Sequence, residues 1–90
     1  MAVTANITVI PNWSVLVAAG DEFIVTLASP TRFDVEVATT DSAGTAPAVA
    51  GHLLNGDQPE GLTRSLLGPG TVWARTRGGS VAVVVNAWTP

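Results

Sequence analysis

Short stretches in which apolar and polar residues alternate constrain the fold of this chain more than any other feature. The clearest of them runs from Arg32 to Ala38, where Phe33, Val35 and Val37 occupy every second position. A period of two places successive side chains on opposite faces of a β-strand, so these three residues are expected to face a core. The residues between them are expected to face out, away from the core: Arg32, Asp34 and Glu36.

The same reasoning divides the whole chain into short strands separated by Gly, Pro, Asn and Ser. The predicted strands cover residues 3–10, 13–19, 23–28, 32–38, 52–54, 62–67, 71–77 and 80–88. Turn signals that recur about every 8–12 residues are typical of antiparallel sandwiches and barrels. We therefore predict a single all-β domain over residues 1–90, a small antiparallel β-sandwich or barrel of about seven or eight short strands.

Two connections stand out between these strands. Gly78-Gly79 separates the last two strands, and two glycines suit a type I′ hairpin because both central residues need a positive φ. The segment from Thr39 to Gly51 is small, polar and rich in turn residues. Loops of this length in small domains are usually functional or mobile.

The charge content excludes several classes of protein. Only 12% of the residues are charged and the net charge is −3, whereas ordinary domains contain about 25% charged residues. The chain is too apolar for a disordered protein and too poor in basic residues to bind nucleic acid. The longest apolar run, Val81 to Val85, is far shorter than the roughly 20 residues of a membrane-spanning helix. We expect neither nucleic acid nor a membrane as a partner, and we expect synthesis in a cytoplasm.

Few side chains in the sequence suggest catalysis or metal binding. There is no cysteine, and His52 is the single histidine, without a recognisable nucleophile motif. Asp41, Asp57 and Glu60 are acids in turns, where aspartate is common, and their spacing matches no calcium loop. We therefore predict that the protein is not an enzyme, binds no metal or cofactor and takes no small-molecule substrate.

The arginines allow two interpretations. Arg75 and Arg77 lie two residues apart on one predicted strand, and so share a face. They could bind an acidic partner surface, or they could pair across strands with Asp34 or Glu36. Arg64 carries much of the remaining positive charge.

Several apolar residues fit a monomer poorly. The last predicted strand is apolar on both faces, with Val81, Val83 and Val85 on one and Val84 and Trp88 on the other. The predicted edges also lack lysine, the usual guard against strand association. A second apolar face is expected either to be covered within the fold or to dock on another chain. Trp73 is expected in the core, whereas the predicted interface consists of Trp13, Arg75, Arg77, Val84 and Trp88.

The order of features resembles that of small structural proteins of tailed bacteriophages. The similar segments are Trp13–Gly20, Ala50–His52, Asn55–Asp57, Gly70–Arg75 and the Gly78-Gly79 pair before a valine-rich strand. The resemblance implies a virion protein on the capsid surface, a cement or decoration subunit that stabilises the lattice of the major capsid protein. It also implies self-association, commonly as a homotrimer. The alternatives are a tail or head fibre base module of a phage and a carbohydrate-binding β-sandwich that uses tryptophan platforms.

Overall fold

The computed structural model describes residues 2–28, 34–48, 51–54 and 61–90. Within them the chain forms eight strands and one short helix. The strands are β1 (Ala2–Val9), β2 (Ser14–Val17), β3 (Glu22–Leu27), β4 (Val35–Thr40), β5 (His52–Leu54), β6 (Leu62–Thr63), β7 (Thr71–Thr76) and β8 (Val81–Trp88), and the helix is α1 (Arg64–Leu67). No helix in these ranges is long and apolar enough to cross a membrane.

The strands form two four-stranded antiparallel sheets. The first sheet has the order β1-β8-β3-β6 and the second has the order β2-β7-β4-β5. The predicted all-β fold of about eight strands is confirmed, and its architecture is a sandwich rather than a closed barrel.

The hydrophobic core lies between the two sheets and follows the period-two pattern of the sequence. Val35 and Val37 are fully buried there, as predicted, while Arg32 and Phe33 lie outside the described residues. Every strand contributes to this core at its inward positions. Its members are Val9, Val17, Phe23, Val25, Val35, Val37, Leu54, Leu62, Val72, Ala74, Val81, Val83 and Val85.

The predicted hairpin at Gly78-Gly79 is wrong. β7 and β8 do not pair with each other but lie in opposite sheets. Gly79 has a φ of 62° and Gly78 has no positive φ, whereas a type I′ turn needs two. β7 is flanked by β2 and β4, and β8 by β1 and β3, so both strands are central and face each other across the core. Local turn chemistry cannot distinguish a hairpin from such a connection between sheets.

Two predicted strands are shorter than expected. Residues 62–67 form the two-residue strand β6 and then the helical turn α1, which Gly68 ends with a φ of 90°. Residues 13–19 contribute only β2, with a register irregularity between Val15 and Val17. Conversely, β4 continues to Thr40, so the connection predicted to begin at Thr39 begins at Asp41.

The first strand is confirmed, but only one end of it is half-buried as predicted. Val9 is fully buried and Ile7 is partly buried on the core side. Val3, on the same side of the strand, is 59% exposed, and Ala5 is also exposed. The second sheet therefore does not cover the beginning of β1, which overhangs the sandwich.

Candidate interaction surfaces

The five predicted interface residues lie on opposite faces of the sandwich. Arg75 and Arg77 belong to the outer face of the second sheet, because the alternating residues Val72 and Ala74 point into the core, and Trp13 lies against Arg75 on that face. Val84 and Trp88 belong to the outer face of the first sheet. One flat contact cannot include all five, so the structure separates them into two candidate surfaces.

The outer face of the second sheet is organised around Glu36. Its carboxylate lies 3.0 Å from Nε of Arg75 and 3.8 Å from Nε of Arg77, and it accepts a 3.4 Å hydrogen bond from the N–H of Gly51. Arg77 also lies 4.0 Å from the carboxylate of Asp34. Glu36 lies on the face opposite the core, as predicted, but these neighbours bury it to 4% exposure, which the alternating pattern does not predict. The cross-strand pairing interpretation of both arginines is confirmed.

The surroundings of Glu36 act on its pKa in opposite directions. Burial alone would raise the pKa because it penalises the charged form. The hydrogen bond and charge of Arg75, the N–H of Gly51 and the charge of Arg77 outweigh that effect and hold the pKa below its ordinary value of 4.5. Glu36 therefore stays ionised in the folded protein at neutral pH.

This lowered pKa predicts a specific loss of stability in acid. A carboxyl with a lower pKa in the folded than in the unfolded state stabilises the fold above the unfolded pKa and loses that effect as pH falls through the folded pKa. We expect the free energy of unfolding to fall between about pH 5 and pH 3 more steeply in the wild type than in Glu36→Gln. Urea denaturation followed by tryptophan fluorescence at each pH measures this difference, and parallel profiles for the two proteins would contradict it.

Two tryptophans lie beside Glu36 and its two arginines on the outer face of the second sheet. The guanidinium carbon of Arg75 lies 4.4 Å from the ring centroid of Trp13, a cation–π distance. Trp73 is 8% exposed and donates from Nε1 to Oγ1 of Thr40 at 2.8 Å. Trp73 is thus buried, as predicted, but it packs on the outer face of the second sheet and not in the cluster between the sheets.

The outer face of the first sheet has a different chemistry. Strand register aligns its residues in rows, Asn6–Val84–Thr26 and Thr4–Asn86–Ile24, with Thr8 and Ala82 beyond them. We call these eight residues the neutral face. Trp88 and Glu22 border it, and Glu22 is the one charged residue that the described strands place on this side of the sheet. At its centre the side-chain carbonyl oxygen of Asn86 is buried without a hydrogen-bond partner among the described residues.

The sequence pattern indicates only part of the neutral face. It indicates Val84, because that residue lies in a strand that is apolar on both sides. Thr4, Asn6 and Thr8 alternate with apolar residues and look like ordinary solvent-facing positions. The strand pairing brings them beside Val84 and Asn86, and no signal within residues 3–10 specifies that neighbour.

The four edge strands of the sandwich differ in how well they are protected. β5 has three residues and β6 has two, and β2 has four with an irregular register. β1 has eight residues, pairs with β8 in unbroken register and contains no charged residue or proline. Short strands, bulges, charges and prolines are the usual protection of an edge, and β1 has none of them.

The other chemically interesting side chains form no metal-ligating group in the part of the chain that is described. His52 is exposed on the edge strand β5, and Asp41 is exposed after β4. No group of three histidine, cysteine or acidic side chains comes together in residues 2–28, 34–48, 51–54 and 61–90. Asp57 and Glu60, the other acids in predicted turns, lie outside these ranges.

Arg64 has a structural role at one end of the sandwich. Its guanidinium donates to the carbonyl oxygens of Ala18, Asp21, Gly68 and Gly70, at distances from 2.5 to 3.2 Å. Its guanidinium carbon also lies 5.0 Å from the ring centroid of Phe23. The Arg64 side chain therefore links the β2–β3 connection to the α1–β7 connection through hydrogen bonds.

Comparison of this chain with protein-family models, with curated proteins and with solved structures finds no match.

Proposed function

We propose that this protein is a non-enzymatic structural protein of a phage virion, a decoration subunit that binds the major capsid protein through its neutral face. The observation that carries the proposal is the nearly charge-free outer surface of the first sheet, in a chain whose net charge is −3. The phage assignment itself comes from the resemblance of the sequence segments given above.

The composition of the neutral face suits a protein partner. Protein interfaces are depleted in charged residues at their centre, and tryptophan is enriched among the residues that contribute most to binding. Val84 and Ile24 provide apolar area, Thr26 and Asn6 provide hydrogen-bonding groups, and Trp88 lies half-buried at the border. Docking of such a surface removes apolar area from water without stripping water from ions.

The carbohydrate-binding alternative has less support in the geometry. A sugar platform needs an accessible aromatic face, but Arg75 covers one face of Trp13 and Trp73 is 8% exposed. Among the three tryptophans, only Trp88 lies beside the neutral face, and Glu22 is its cross-strand neighbour. The described residues thus present no row of tryptophan rings.

The test uses capsids assembled from the major capsid protein encoded in the same genome as this chain. We expect the purified protein to sediment with these capsids and to raise the temperature at which they break apart, because it binds only the intact lattice. Absence of co-sedimentation, or binding to isolated tails instead of capsids, would overturn the proposal.

Matched lysine variants identify the binding surface. Ala82→Lys adds a charge at an exposed position of the neutral face, and Thr45→Lys adds the same charge in the exposed connection after β4. We expect Ala82→Lys to weaken capsid binding at least tenfold, which corresponds to about 1.4 kcal/mol, and Thr45→Lys to bind like the wild type. Equal binding by both variants would place the contact elsewhere and contradict the assignment of the neutral face.

A further inference from the structure

We propose that two copies of this chain pair through antiparallel β1 strands and form a two-fold symmetric dimer. The two first sheets then join into one continuous sheet of eight strands, with β1 of each copy at its centre. This inference rests on the edge of the sheet and not on the proposed capsid role.

The backbone of β1 provides the binding energy for this contact. An edge strand leaves every second residue with an N–H and a C=O that point away from its own sheet. Eight residues extend over about 27 Å, which is long enough for several additional inter-strand hydrogen bonds. Among the residues that the structure describes, the other three edges are too short or too irregular to pair in this way.

The absence of charge on β1 favours a second copy of this chain as the partner that pairs with its free edge. The chain has a net charge of −3, so two copies repel each other weakly at most surfaces. β1 contains no charged residue, and its association with itself brings no like charges opposite each other. An antiparallel strand pair is also self-complementary, since a two-fold axis exchanges its members.

The exposed apolar residues of β1 support the same contact. Opposite residues of an antiparallel pair share a face, so a two-fold axis must place one residue opposite its own copy. With Ala5 on the axis, Val3 of each copy lies opposite Ile7 of the other. Val3 is 59% exposed on the core side of its own sheet. The pairing therefore covers the overhanging end of β1, which the second sheet leaves open.

This geometry also determines the size of the assembly. Each chain has one β1 edge, and an antiparallel contact uses the same edge on both copies. The assembly closes at two chains. It therefore differs from the homotrimer that the phage resemblance implies, and the neutral face of each copy continues into that of the other across the axis.

The mass in solution tests the proposal. Light scattering after size-exclusion chromatography at micromolar concentration is expected to give twice the 9.2 kDa of one chain. Ala5→Lys introduces a charge at the axis, at a position that is exposed in the single chain, and is expected to give the mass of one chain with an unchanged circular dichroism spectrum. A monomeric or trimeric wild type, or a dimer that persists in Ala5→Lys, would overturn the proposal.

Cysteine cross-linking tests the pairing directly, because the chain contains no cysteine. Side chains directly opposite each other have Cβ atoms about 4.5–5.5 Å apart, which is close to disulfide distance. We expect mild oxidation to link most of Ala5→Cys into covalent dimers, because Ala5 lies opposite its own copy on the axis, and to link Asn6→Cys less. Ser80→Cys, in the exposed segment before β8, is the control. Equal linkage of all three variants, or of none, would contradict antiparallel β1 pairing.

These experiments separate the dimer from the capsid role. Ala5 points to the core side of the first sheet, away from the neutral face. If the protein is monomeric but binds capsids, only the proposed dimer is contradicted. If it is dimeric but does not bind capsids, only the proposed function is contradicted.

Discussion

Replacement of Arg64 with alanine is expected to lower the free energy of unfolding by about 3 kcal/mol. The guanidinium donates to four backbone carbonyl oxygens from two separate connections, and hydrogen bonds to charged groups contribute about 1.5–3 kcal/mol each without adding fully. The variant also loses the packing of the arginine on Phe23. Urea denaturation followed by tryptophan fluorescence measures the effect.

Two further variants show whether geometry or charge is responsible. Arg64→Lys keeps the positive charge but has no planar fork with which to bridge several carbonyl groups, so we expect it to recover less than half of the loss. Arg77→Ala removes an arginine whose side chain is 52% exposed, and exposed ion pairs contribute about 0–1 kcal/mol. A loss in Arg64→Ala no larger than that in Arg77→Ala would show that the carbonyl contacts contribute little.

Replacement of Gly70 with alanine is expected to cost about 3 kcal/mol or more. Gly70 has a φ of 108°, which an L-residue rarely adopts. A Cβ added there would also collide with the carbonyl oxygen of Thr40 and lie 3.2 Å from its carbonyl carbon. Those are backbone atoms at the end of β4, where β7 begins beside it, so neither strand can move without breaking the ladder between them.

Gly20 provides the matched control for this prediction. It has a similar φ of 93°, but a Cβ at that position would meet nothing within 4 Å. Gly20→Ala therefore measures the backbone strain alone, for which we expect about 1–2 kcal/mol. Equal losses in the two variants would mean that the close approach to Thr40 has no energetic consequence.

The failures of the sequence analysis share one physical cause. Gly78-Gly79 has the chemistry of a hairpin, yet β7 and β8 take different partners because each is central in its own sheet. Glu36 has the pattern of a solvent-facing residue, yet Arg75 and Gly51 bury it. Arg64 lies in residues 62–67, for which the sequence predicts a strand, yet its contacts with distant carbonyls accompany a helical turn. In each case the contact that decides the structure is made with a residue outside the local segment from which the prediction was drawn.

The same distinction applies to the two candidate surfaces. The scarcity of charge and the two-sided apolar character of residues 80–88 are properties of composition and period, and they left open whether the second apolar face is covered within the fold or docks on another chain. Which residues share a face depends on strand pairing: Val84 joins Asn6 and Thr26, whereas Trp13 and Arg75 lie on the opposite side of the molecule.

What the sequence alone determined was therefore the all-β class, the positions of most strands and the inward set of valines, because side-chain direction in a strand depends only on a period of two. The tertiary structure decided which strands pair, which edge is left open and which polar residues are buried. Those features depend on hydrogen bonds and packing between distant segments, and local alternation carries no information about the identity of a strand's neighbour.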